Sequence, residues 1–193
     1  MKNGRGTIFF KSLITLGMIA FCSMMVEGAM FDWSGVYFIK VAGAGQELAG
    51  AGYTSFMIAM ASMRFLADGL SNRYGLKSIL QASGVLATVG LLTTVLLPHV
   101  LPSLLGFLLI GLGVSSVVPM VYSAAGKSKT MSPGTAITAV SSLGFLGFLI
   151  GPPTIGLIAE AFGLRISFAA LSIMSIGVVA LSSWMSKNTQ PFK

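Results

Sequence analysis

Residues 78–125, SILQASGVLATVGLLTTVLLPHVLPSLLGFLLIGLGVSSVVPMVYSAA, contain no Asp, Glu, Lys or Arg. An α-helix of about 20 apolar residues crosses the roughly 30 Å hydrocarbon core of a bilayer. The stretch holds two such helices, at 78–97 and 103–125, with Pro98-His99 and Pro102 making the turn between them. A proline disfavours helical geometry in the residue before it, so the boundary is steric as well as polar.

Working outward, four more apolar windows appear at 12–31, 49–67, 133–159 and 166–186, six in all. Charged residues make up only 9% of the 193-residue chain, whereas a soluble domain devotes about a quarter of its residues to them. A buried helical core would come with amphipathic partner helices, and none is present. The chain reads as an all-α, polytopic membrane protein with one six-helix bundle as its single domain. Lys2, Arg5 and Lys11 ahead of the first window resemble the opening of a signal peptide. No small-residue cleavage site precedes Glu27, so this window reads as an anchor that stays. The lone Cys22 lies inside it and reads as a packing residue.

Basic residues fall in alternate gaps. Lys2, Arg5 and Lys11, then Arg73 and Lys77, then Lys127 and Lys129, then Lys187 and Lys193 share one side; the other receives Lys40 and Arg165 among Asp32, Glu47 and Glu160. The positive-inside bias puts both termini on the cytoplasmic side of the membrane. The net charge of +7 is thereby a topological signal, and no nucleic-acid partner is implied.

Within the spans, Gly147 and Gly151 form a small-xxx-small face suited to close helix packing. Pro119 in the fourth span, and Pro152-Pro153, which interrupt the fifth, remove backbone donors and favour bends. Glu27, in the outward half of the first span, is too costly to face lipid and needs a cavity, a partner or a proton. Arg64 and Asp68, one turn apart at the cytoplasmic end of the second span, pair at i,i+4, and Asp68 with Arg73 in the following polar loop could clamp helix ends. Trp33 and Tyr37 suit a headgroup-level aromatic belt or, if turned inward, stacking on a solute. Gln81, Tyr122 and Thr138 are candidate cavity residues. A single Cys, a single His and no compact acidic set give neither a covalent nor a metal site, so an enzyme is not indicated and no cofactor is implied.

Residues 63–77, MRFLADGLSNRYGLK, resemble the loop between the second and third helices of a six-helix repeat in the major facilitator superfamily, with Asp68, Arg73 and Gly75 in the matching positions. Residues 27–34, EGAMFDWS, are similar to the end of the seventh helix in bacterial fucose-permease-like or uncharacterised sugar-transporter-like members. Residues 151–156, GPPTIG, followed by Gly163-Leu164-Arg165, are similar to their eleventh helix and outer loop. Met63 and Leu76 depart from the family pattern, in which a small residue precedes the basic one and a basic run follows the glycine.

The resemblance implies one half, the carboxyl half, of a secondary transporter of a bacterial cytoplasmic (inner) membrane that works by alternating access, with a small polar solute such as a sugar as substrate; Glu27, costly where it stands, is the candidate either to bind that solute or to carry a coupling proton. It also implies a counterpart: the chain is a fragment, or a separate amino-type half or a second copy completes it. The rival expectation is a truncated, non-transporting scaffold or inactive half-transporter.

Overall fold

The computed structural model describes the backbone of residues 3–128 and 131–188, with side chains for 11–66, 69–70, 73–128 and 131–185. The described residues are helical apart from short connections, and no strand occurs among them. Helix α1 is Asn3–Lys40, α2 Ala49–Leu96, α3 Val100–Val114, α4 Val117–Gly126, α5 Pro133–Phe162 and α6 Leu164–Asn188. They make six membrane passages, because α2 is two arms joined at Gly75 while α3 and α4 share the passage Val100–Gly126.

Five passages are long and apolar enough to cross a bilayer by length and composition alone: Lys11–Lys40, Arg73–Leu96, Val100–Gly126, Pro133–Phe162 and Leu164–Met185. The first arm of α2 is the sixth. Arg64 and the polar run Tyr53-Thr54-Ser55 lower its hydropathy, and this is where its charge-bearing side chain becomes informative.

Three boundaries differ from the sequence reading, each for a local reason. First, α1 does not stop near Phe31 but continues to Lys40, because Ser34, Tyr37 and Phe38 on its inner face are buried. Second, the polar loop expected between the second and third spans is absent: helix continues on both sides of Gly75, whose φ of 79° and ψ of 156° reverse the chain at one residue. That backbone region is essentially confined to glycine. Gly163, at φ 89° and ψ 156°, makes the same turn between α5 and α6. Third, α5 runs unbroken through Pro152 and Pro153. It starts on a capped end, with Ser132 Oγ accepting from Thr135 N–H at 3.3 Å and Pro133 in the first turn, where its missing donor is harmless.

In the fourth passage the regular helix is interrupted just ahead of Pro119, with Ser115 and Ser116 both keeping right-handed helical φ/ψ. Pro119 cannot donate to the carbonyl of Ser115, four residues earlier, and the helix breaks at Ser115-Ser116, between α3 and α4.

Lipid tails are as apolar as the side chains they would displace, so close packing rather than escape from water holds such a bundle together. The α1–α5 seam shows how. A Cβ at Gly151 would lie 2.6 Å from the Met25 carbonyl, one at Gly28 would lie 2.7 Å from the Phe148 carbonyl, and Gly147 rests directly on the Phe21 carbonyl. The small-residue face read from the sequence therefore lies on this seam. Elsewhere the interior is aromatic: Tyr37 and Phe168 have ring centroids 4.1 Å apart, with Phe107 packed beside both.

Candidate functional site

The length of α1 sets the depth of Glu27. Because the helix reaches Lys40, Glu27 lies only just on the Lys40 side of the midpoint between Lys11 and Lys40, about 20 Å from Lys40 at about 1.5 Å per residue. Arg64 is about 22 Å into α2 from Ala49, which follows Lys40 on the same side of the bundle. The two side chains meet at that depth, with Arg64 Nη2 3.6 Å from Glu27 Oε1.

This pairing revises the geometry expected for Arg64. Its helix does not end at position 67 but runs on to Gly75, which leaves Arg64 about 16 Å inside the passage rather than at the cytoplasmic end. The side chain of Asp68 lies outside the described residues; Arg73 holds its guanidinium over the Tyr74 ring, 5.4 Å from the centroid. Two residues assigned separate roles from the sequence thus form one cross-helix ion pair. It is asymmetric: the Glu27 side chain is 12% exposed and that of Arg64 56%. The accessible charge on this surface is therefore the guanidinium.

One turn along α1, Phe31 packs against rings from both flanking helices. Its centroid is 5.7 Å from Tyr53 and 6.1 Å from Phe56 on α2, and 5.9 Å from Phe148 on α5. On the other side of Glu27, the Tyr122 hydroxyl of α4 reaches Met24 Sδ at 3.9 Å. Gly144 of α5 makes room there, since a Cβ would lie 2.7 Å from that sulfur. Elements α1, α2, α4 and α5 together offer one partly open surface: a charged pair at mid-depth, rings above it and a phenol below.

Sequence reasoning missed Phe31, Tyr53 and Phe148. The i,i+4 step from Glu27 to Phe31 and the three-turn step from Tyr53 to Arg64 were usable signals, since each puts two residues on one helix face. Nothing in the sequence pointed to Phe148, which arrives through tertiary packing.

The other candidates are distributed elsewhere. Trp33 donates its Nε1–H to the Pro152 carbonyl at 3.0 Å, and beside it an open groove of about 550 Å³ runs between Asp32, Val36 and Pro153. Tyr37 is fully buried and donates to the Thr94 carbonyl at 2.9 Å, so it belongs to the core and neither to an aromatic belt nor to a solute-facing surface. Gln81 Nε2 donates to Ser183 Oγ of α6 at 2.7 Å, away from the ion pair. Thr138 is exposed on α5, roughly a third of a turn from the Gly144 face. Among the described residues no group of three His, Cys, Asp or Glu could hold a metal.

The family model of the Major Facilitator Superfamily matches residues 16–193. The chain is similar to membrane protein MosC of Rhizobium meliloti, 36% identical over 167 residues that cover 86% of this chain and 40% of that protein. It is similar to an uncharacterized MFS-type transporter of Yersinia pestis, 31% identical over 176 residues covering 91% and 44%. An uncharacterized transporter of Sinorhizobium fredii is 36% identical over 173 residues, covering 88% and 45%. The chain spans less than half the length of these relatives.

Two solved structures show the same fold at low identity. A peptide transporter POT in complex with alafosfalin gives a TM-score of 0.82 at 18% identity, over 92% of this chain and 39% of that one. The inward-open xylose transporter XylE of E. coli gives 0.73 at 18%, over 92% and 47%. Matched over nearly its whole length, this multi-pass bacterial inner-membrane protein belongs to the Major Facilitator Superfamily, and its six-helix bundle corresponds to half of the family's twelve-helix fold.

Proposed function

We propose that the chain is the carboxyl-type half of a secondary transporter that carries a small polar solute, with a sugar as the favoured class, by alternating access. The observation that carries this reading is the Glu27–Arg64 pair at mid-membrane depth, open on the guanidinium side and flanked by the rings of Phe31, Tyr53 and Phe148. Ionisable groups so deep in a bundle are expensive to keep and line substrate or ion pathways. Ring faces beside polar hydrogen-bonding groups suit a sugar, whose C–H faces stack while its hydroxyls are bound.

In this reading Arg64 offers donors to the solute, while Glu27 either binds it or carries the coupling proton. Arg73 and Gly75 belong to the cytoplasmic turn that acts with Asp68 as a clamp. The open face of α1, α2, α4 and α5 meets an amino-type half or a second copy of the chain, and both termini lie in the cytoplasm, as the alternating basic gaps require.

A second reading is supported by the chain's share of its relatives: a six-helix unit on its own, without the opposing half, would be a non-transporting scaffold. Solute uptake into proteoliposomes separates the two, with the chain alone and then co-reconstituted with a matching amino-type half. Flux in either preparation, lost in Arg64→Gln while the protein stays folded, supports transport. Absence of flux in both rejects it for this product.

A further inference from the structure

At the centre of the bundle, on the opposite side of α1 from the glycine seam, four serine hydroxyls from different parts of the chain converge in an otherwise apolar core. Ser23 comes from α1, Ser83 from the second arm of α2, Ser116 from the break between α3 and α4, and Ser175 from α6. All four are at most 4% exposed. Ser83 Oγ and Ser116 Oγ satisfy one another at 3.1 Å. Ser23 Oγ and Ser175 Oγ are buried with no hydrogen-bond partner in the protein.

Both of these unsatisfied hydroxyls, together with Ser83, line one small void of about 10 Å³, walled by Ala87, Val117 and Val178. That is room for the centre of a single water molecule. Dry cavities in proteins are lined by apolar groups, whereas buried waters sit where otherwise unsatisfied polar groups converge. Each hydroxyl can both donate and accept, so one water between them completes both. We infer that this void is a binding site for one structural water that bridges Ser23 Oγ to Ser175 Oγ and links α1 to α6 across the middle of the membrane.

A hydrated monovalent cation is the competing occupant, and the site argues against it. A cation there would be held by neutral hydroxyls alone, since no carboxylate lines the void. Its desolvation would then have no opposite charge to offset it.

The test uses the intact chain in detergent. An experimental structure that resolves ordered solvent is expected to show a peak within about 3.2 Å of both Ser23 Oγ and Ser175 Oγ. An empty void, or the two hydroxyls turned onto backbone carbonyls, would overturn the inference. Thermal unfolding of Ser23→Ala, Ser175→Ala and the double variant provides a second readout. Each single change is expected to lower Tm, and the double to lose clearly less than the sum, because one water is removed twice. Additive losses would show two independent hydroxyls and no shared water. Replacing sodium with choline in the buffer is expected to leave Tm unchanged; sodium-dependent stabilisation abolished by Ser175→Ala would assign a cation instead.

Discussion

A charge at the middle of a bilayer-spanning helix costs about 2.5–3.5 kcal/mol on insertion scales, so neither Glu27 nor Arg64 is tolerable there without a reason. Each supplies part of the other's. Neutralising one leaves the other unpaired, so Glu27→Gln and Arg64→Gln are each expected to lower stability by about 1 kcal/mol, with Arg64's exposure keeping the loss from being larger. The double variant is expected to recover part of that loss. Thermal unfolding of the four proteins forms a double-mutant cycle, and strictly additive losses would mean that the pair is not energetically coupled. At Gly75 the argument concerns the backbone. Gly75→Ala is expected to destabilise by about 1–3 kcal/mol through a conformation that alanine resists, although nothing lies near its Cβ. Gly69→Ala, in helical backbone with equally open surroundings, is expected to be neutral or to stabilise by about 0.5–1 kcal/mol. These residue-scale features differ in how far they could be read beforehand. Glu27 stood out because a lone carboxylate in an apolar window is rare. Its partner did not, because the cross-helix pairing depends on where α1 and α2 end, and the window edges at Phe31 and Ala67 were set by composition while the real ends are set by packing.

Between helices, the informative contrast is α5 against the fourth passage. Two adjacent prolines leave α5 unbroken, while the single Pro119 accompanies a break. Of the two carbonyls freed in α5, that of Phe148 lies at the α1 seam, where Gly28 lets it approach closely, and Trp33 donates to the carbonyl of Pro152 one turn on. In the fourth passage the Ser115 hydroxyl donates to Leu112 O at 3.0 Å, the Ser116 hydroxyl meets Ser83 Oγ of α2 at 3.1 Å, and the regular helix is interrupted there. Gly151→Ala is accordingly expected to destabilise by about 1–3 kcal/mol, because α1 must move away from the Met25 carbonyl. Gly134→Ala, with no atom near its Cβ, provides the control for the same substitution in the same helix. If both variants unfold at the same temperature, the seam is not tight in the way the packing indicates. The sequence made the α5 face legible through the spacing of Gly147 and Gly151, but it could not say which helix filled that face.

For the whole molecule, the passage with the lowest hydropathy is the one that carries Arg64. Composition is therefore a good guide to how many helices cross the membrane and a poor guide at the helix with most chemistry, since the polar groups that do the work also weaken the hydropathy signal. Fold class was legible because long uncharged windows admit few alternatives in lipid. The aromatic half of the site was not, because Phe31, Tyr53 and Phe148 look like ordinary membrane residues until three helices bring them together. Orientation is testable at this scale: with the termini in the cytoplasm, a cysteine introduced at Gln46, exposed between α1 and α2, is expected to react with a membrane-impermeant thiol reagent from outside intact cells, in a Cys22→Ser background. Labelling only after permeabilisation would invert the topology. The contact between Trp33 and Pro152 has a spectroscopic consequence. The chain has two tryptophans, and the other, Trp184, is about half exposed on α6. In a Trp184→Phe protein, all indole emission comes from a ring hydrogen-bonded across the α1–α5 seam beside an open groove, so its wavelength and quenching report whether those two helices part during a working cycle, with no dye attached.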